Sequence, residues 1–149
     1  MLIRRPAADV FEAIVNPEIT TAFWFTKGSG RLDAGKRVEW KWEMYGVSAA
    51  VTVKTIEPNK RIVIEWPGAT GPTTVEWKLA SRADGTTFVE VAETGFTGSA
   101  DELIKSIADS TQGFTLMLAG MKAFLEHNIR LNLTADRYPD ANVAPEGAA

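Results

Sequence analysis

The sequence predicts an α+β domain in which a curved antiparallel sheet grips one long C-terminal helix. Three observations carry that prediction. From Arg37 to Gly95, apolar and polar residues alternate with period two between turn signals. From Ser99 onward the apolar period becomes helical and stays so to about Asn128. The chain has 149 residues, enough for one domain with its own core and too few for two.

Each element has its own signal. Pro6 suits the first position of a helix, and Val10, Phe11 and Ile14 follow at helical spacing. Asn16-Pro17-Glu18 repeats the start signal for a second, short helix that runs out around Phe23-Trp24-Phe25. Gly28, Gly30 and Gly35 then mark turns. Val38, Trp40, Trp42 and Met44 alternate with Arg37, Glu39, Lys41 and Glu43 in the first long strand, which Gly46 breaks. Val47, Ala49, Val51 and Val53 carry the next, up to Pro58-Asn59. Ile62, Ile64 and Trp66 form a third inward set, and Val75, Trp77 and Leu79 a fourth. Asp84-Gly85 predicts a hairpin, after which Thr87, Val89, Val91 and Glu93 share one face of the fifth. Leu2 and Ile3 support an added edge strand. The outcome is a meander with one wet face.

Ser99-Ala100-Asp101-Glu102 has the form of a capping box, so the long helix starts there and runs about 40 Å. Leu103, Ile107, Met117, Leu118, Met121 and Leu125 fall within about 60° of Phe114 around its axis. Gly113 and Gly120 would each cost about 1 kcal/mol against Ala unless something packs closely on them. Residues 1–133 form the predicted domain, and 134–149 read as a flexible tail.

Composition excludes several function classes. There is no Cys and a single His, so disulfides, thiol nucleophiles and multi-His or Cys-rich metal sites fall together. Net charge is −3, which argues against nucleic-acid and anionic-membrane binding. The start lacks the apolar core of a signal peptide and no 18-residue apolar run follows, so the expected location is cytoplasmic. Nothing in the sequence asks for a cofactor or a metal.

Several motifs together resemble a known superfamily. Pro6-x3-Val10-Phe11-x-Ala13, then Asn16-Pro17-Glu18 and Trp24-Phe25, is similar to the opening of START-like, polyketide-cyclase-like proteins. Gly30-Arg31-Leu32-x2-Gly35, Glu93-Thr94-Gly95-Phe96 and Gly113-Phe114-x3-Leu118 with Leu125 look closer to the heat-shock protein 90 ATPase activator homologue family. The resemblance covers residues 2–128. Phe114 stands where that family usually has Trp, and the first strand is shorter than usual. The resemblance implies a helix-grip fold with a cavity between sheet and helix. It implies no single reaction, because the superfamily spans carriers, cyclases, co-chaperones and sequestering proteins.

The inward face of the strands is therefore where function is expected. Trp40, Trp42, Trp66 and Trp77 lie there and either fill a solid core or wall a pocket for a flat or apolar ligand. Val91, Phe114, Met117 and Met121 complete the same face, and a bulky Met121→Trp is expected to block the pocket. By parity Glu93 is the one acid on it. Either it is solvated or bonded to Ser110 or Thr111, or it is a polar anchor or general acid/base. Ser110 interrupts the helix stripe one turn before Phe114 and has no His to activate it. His127 falls on the wet side of the helix, about 220° from Phe114. Tyr45, beside Gly46, is in reach of a cavity rim.

The leading expectation is a non-enzymatic protein that binds a small hydrophobic molecule, with stress response or sequestration as its setting. The alternatives are a chaperone-directed activator module, suggested by the family name alone, and a cyclase- or hydrolase-type enzyme using Glu93. A homodimer through the sheet edge or the segment after Asn128 is compatible with the sequence, which does not decide it.

Overall fold

The computed structural model describes residues 1–144 of the chain. In chain order the elements are β1 (Leu2–Ile3), α1 (Ala7–Val15), α2 (Pro17–Thr20), β2 (Lys27–Gly28), β3 (Arg37–Trp42), β4 (Val47–Glu57), β5 (Arg61–Pro67), β6 (Pro72–Ser81), β7 (Thr87–Thr94), α3 (Ala100–His127) and α4 (Leu133–Asp136). Short 3-10 turns cover Glu43–Tyr45 and Pro139–Ala141. The seven strands form one curved, open antiparallel sheet in the order β1-β7-β6-β5-β4-β3-β2. The fold is the predicted α+β grip of a sheet on a long helix.

Alternation along the strands sets the concave face. Val38, Trp40, Val51, Val53, Ile62, Ile64, Val75, Trp77, Leu79 and Val89 point into the core. Met117 and Met121 of α3 press onto that face, and α1 adds Val10, Phe11 and Ile14. Thr20 is fully buried, and its one hydroxyl proton is shared between the Ala13 and Asn16 carbonyls, 2.7 and 2.9 Å away. That contact fixes α2 against α1 and keeps the buried hydroxyl paired.

The long helix begins at the predicted capping box. The Glu102 amide donates to Ser99 Oγ, and Glu102 Oε2 accepts from the Ser99 amide at 2.7 Å. It ends at Asn128, whose φ of +54° places it in the left-handed region that stops a helix. Gly120 has the close neighbour its presence required: a Cβ there would lie 3.1 Å from the Phe23 carbonyl oxygen.

Four expectations need correction. Gly28 belongs to strand β2, paired with Trp40, and not to a turn. A Cβ on it would come 2.8 Å from the Pro17 side chain, so close approach selects glycine there. Met44 does not continue β3; the chain leaves the sheet after Trp42 in a 3-10 turn that Gly46 closes at φ +62°. Val47 is consequently exposed rather than inward. Along α3 the apolar stripe is buried only from Phe114 onward, and Ile107, expected inside, is 48% exposed.

The stretch read as a flexible tail carries most of α4 and the 3-10 turn that ends at Ala141. The Tyr45 hydroxyl donates to the Thr134 carbonyl within α4, and further on the Val143 amide donates to the Met44 carbonyl at 2.7 Å. The remainder of that expectation, residues 145–149, lies outside the described residues. Among the described residues, no helix is long and apolar enough to cross a membrane.

Candidate functional site

The first half of α3 touches the sheet at Ser110, and beside that contact a cavity of about 460 Å³ opens between helix and sheet. Its sheet side comes from the ends of β3, β4 and β5, with Trp42, Ala49 and Trp66. Ser106, Asp109, Ser110, Gly113 and Phe114 of α3 form the opposite wall. The α3 residues at 106, 110 and 113 are small, and all three line the space. Tyr45, Thr134, Arg137 and Tyr138 close one side.

At the centre of the aromatic wall stands Trp24. Its ring centroid is 5.0 Å from Trp40, 5.8 Å from Trp42, 6.1 Å from Trp66 and 5.7 Å from Phe114. The rings meet tilted or edge-to-face, the arrangement that aligns ring edges with ring faces. Trp24 was legible only as part of a family motif; its place between Phe23 and Phe25, just past a helix, was the available signal.

Glu93 sits near the end of β7 and collects three donors. Trp66 Nε1 donates to Oε1 at 2.9 Å, the Thr73 hydroxyl donates to the same oxygen, and the Ser110 hydroxyl donates to Oε2. One carboxylate thus ties β7 to β5, β6 and α3. The expected bond to Ser110 is present. A second, smaller cavity of about 190 Å³ lies beyond this tie and shares Glu93, Phe96, Ser110 and Phe114 with the first. The Glu93–Ser110 contact, with Phe96 and Phe114, borders both spaces.

The opposite end of the large cavity is crossed by the chain after α4. Arg137 Nη2 donates to Asp109 Oδ1 at 2.8 Å, and Arg137 Nε donates to Gln112 Oε1 at 3.1 Å. The guanidinium lies 4.9 Å from the Tyr138 ring centroid. Tyr138 in turn meets Tyr45 edge-to-face at 6.5 Å. The depressed carboxylate pKa values occur away from the cavity, as at Glu12, held below its ordinary range by the hydrogen bond from Arg31.

Of the residues expected at a site, Trp42, Trp66, Glu93, Ser110 and Phe114 line the large cavity together, and Val91 lines the smaller one. Trp40, Trp77, Met117 and Met121 do not line either; each is at most 1% exposed and belongs to the packed core. Strand parity explains the split: it identifies the inward face but not where along that face the helix stands off. Met121 is thus the wrong position from which to fill the cavity, and Ala49, opposite Trp40 across β3 and β4, is a right one. Parity and period also missed Trp24, Phe96, Asp109, Arg137 and Tyr138. Among the described residues, no three His, Cys, Asp or Glu side chains cluster to hold a metal ion.

A curved antiparallel sheet wrapped on a C-terminal helix, with a lined cavity between them, defines the helix-grip class. Residues 4–126 match the family described as Activator of Hsp90 ATPase homolog 1-like protein, and the chain belongs to that family. No curated protein matches it. Among solved structures, it is similar to the protein SSP2350 from Staphylococcus saprophyticus, at 28% identity over 88% of this chain and 91% of that one, with a TM-score of 0.74. DynU16, a putative protein in the dynemicin biosynthetic locus, shares the fold at 19% identity and a TM-score of 0.71. That likeness covers 87% of this chain and 46% of DynU16. The Aha1 dimer from Colwellia psychrerythraea shares it at 18% identity, covering 85% and 92% of the two chains, with a TM-score of 0.71.

Proposed function

We propose that this protein binds a small, flat, largely apolar molecule in the cavity between the sheet and the first half of α3. The observation that carries the reading is the wall of Trp24, Trp42, Trp66 and Phe114 around about 460 Å³, the size of a drug-like ligand's site. Most of the lining surface is apolar, and of its polar groups Glu93 is bonded to Ser110 and Arg137 to Asp109. Sequestration of such a molecule, as in a stress response, needs nothing beyond this geometry.

Proton transfer by Glu93 is less well supported. Three donors already engage its two oxygens, which leaves one lone pair, on Oε2, open to a ligand and little freedom for the carboxylate to turn toward a reacting atom. A polar anchor for the wall is the role that arrangement favours. The family's description supports a second reading, a chaperone-directed interaction module, and the Colwellia neighbour's dimer adds self-association to it. Under that reading the surface carries the activity, and filling the cavity leaves it intact.

The test is native against denaturing mass spectrometry on freshly purified protein. A reproducible extra mass, lost on unfolding and lost in Ala49→Phe, is the expected result. Absence of any adduct, combined with stimulation of a chaperone ATPase that Ala49→Phe does not reduce, would favour the second reading.

A further inference from the structure

Resting on that reading, we propose that the cavity discriminates by charge: it takes neutral and cationic aromatic molecules and rejects anionic ones, with the Glu93 carboxylate as the selecting group. Three ionisable side chains of opposite sign line the cavity, Glu93, Asp109 and Arg137. Arg137 has its charge matched. Its guanidinium meets Asp109 at 2.8 Å, donates to Gln112 through Nε and lies against Tyr138, which leaves Nη1 as its one nitrogen without a bond. Asp109 is matched by the same contact.

Glu93 has no such partner. Its donors are an indole and two hydroxyls, all neutral, and among the described residues no Lys, Arg or His approaches its carboxylate within 4 Å. The charge therefore has no cation beside it at one end of an aromatic wall, in a half-buried setting where solvent screens it less than on an open surface. The faces of Trp24, Trp42 and Trp66 carry negative quadrupoles that add to the same field. An anionic ligand would lose its hydration, meet like charge and find no free cation. A protonated amine, or a neutral ring bearing an N–H or O–H, meets a complementary surface.

Three probes of similar size separate the outcomes: N-phenyl-1-naphthylamine (neutral), its sulfonated analogue 1-anilinonaphthalene-8-sulfonate (anionic), and N-(1-naphthyl)ethylenediamine (cationic at pH 7). Calorimetric titration is expected to show the neutral probe binding at least about tenfold more tightly than its sulfonate. The cationic probe is expected to match or exceed the neutral one. Glu93→Gln should shrink the neutral-to-anionic ratio several-fold. Should that variant fail to fold, Asp109→Asn makes the same point from the other side, because it leaves Arg137 unmatched and raises affinity for the sulfonate.

Equal affinities for the neutral and sulfonated probes would overturn the charge selection while leaving the cavity reading in place. A ratio unchanged in folded Glu93→Gln would remove Glu93 as the selecting group. Failure of all three probes to bind would overturn the cavity reading and this inference with it.

Discussion

Arg137, one residue past α4, donates to Asp109 of α3 at 2.8 Å and so fastens the C-terminal segment across the edge of the cavity. Its side chain is 14% exposed while that of Asp109 is 67% exposed, so the pair lies at the boundary between cavity and solvent. A pair in that setting contributes little to global stability, about 1 kcal/mol or less, because water and salt screen it. Its consequence is local. Arg137→Ala is expected to leave the unfolding midpoint nearly unchanged, to speed amide hydrogen exchange over residues 133–143, and to raise the dissociation rate of a cavity probe several-fold. Unchanged exchange over that segment would mean that the bonds from Tyr45 and to Met44 hold it without Arg137.

The two glycines of α3 make a matched comparison. At Gly120 an added Cβ meets the Phe23 carbonyl oxygen at 3.1 Å and the Phe23 Cβ at 3.2 Å, both on rigid neighbours. Gly120→Ala is expected to destabilise by about 1–3 kcal/mol despite the better helix propensity of alanine. At Gly113 the near atom is Arg137 Nη1 at 3.3 Å, the end of a flexible side chain. Gly113→Ala should therefore be neutral or stabilising by up to about 1 kcal/mol. Denaturant unfolding of both variants checks the pair, and equal destabilisation would contradict the packing described for Phe23.

Ser110 supplies one of three donors to Glu93, and its loss leaves two. Ser110→Ala should cost about 0.5–1.5 kcal/mol in chemical denaturation. The same change removes one of the four residues that border both cavities and is expected to widen the passage between them. Longer ligands are then expected to gain affinity relative to compact ones, measurable with an alkylated series of naphthylamines. A series whose order of affinity is the same in both proteins would show that Phe114 alone divides the spaces.

Acid should weaken the fold in a defined direction. Hydrogen bonds from Arg31, Lys36 and Arg61 lower the carboxyl pKa values of Glu12, Asp33 and Glu76, and bonds from Thr86 and Ser99 do so for Asp84 and Glu102. A carboxyl with a folded pKa below its unfolded value stabilises the fold fully above the unfolded value, near 4. That contribution is lost as pH falls through the folded value. Stability is therefore expected to be flat from about pH 8 to pH 5 with respect to these groups and to decline below about pH 4. Denaturant midpoints across that range check it; a decline already complete at pH 5 would point to groups outside this set.

The fold was legible in the sequence because its signals were local. Period two along residues 37–95, the capping box at Ser99 and the helical apolar period that runs to about Asn128 each follow from near neighbours in the chain. What escaped was set by long-range packing. Gly28 is glycine because Pro17 crowds it and a strand residue because it pairs with Trp40, contacts that no pattern around Gly28 reveals. Trp40 and Trp42 share a face, yet one is core and the other cavity wall, since burial depends on where α3 departs from the sheet. Arg137 lies 28 residues from Asp109, and a stretch rich in Ala and Pro gave no sign that it would cross back to α3.

The cavity's position is tested most directly by the indole N–H resonances of the five tryptophans, recorded while N-phenyl-1-naphthylamine is added and assigned with single Trp→Phe variants. The account predicts that the signals of Trp24, Trp42 and Trp66 shift together and saturate, while those of Trp40 and Trp77 stay nearly fixed. Equal shifts at Trp40 and Trp77, or none at any of the five, would contradict it.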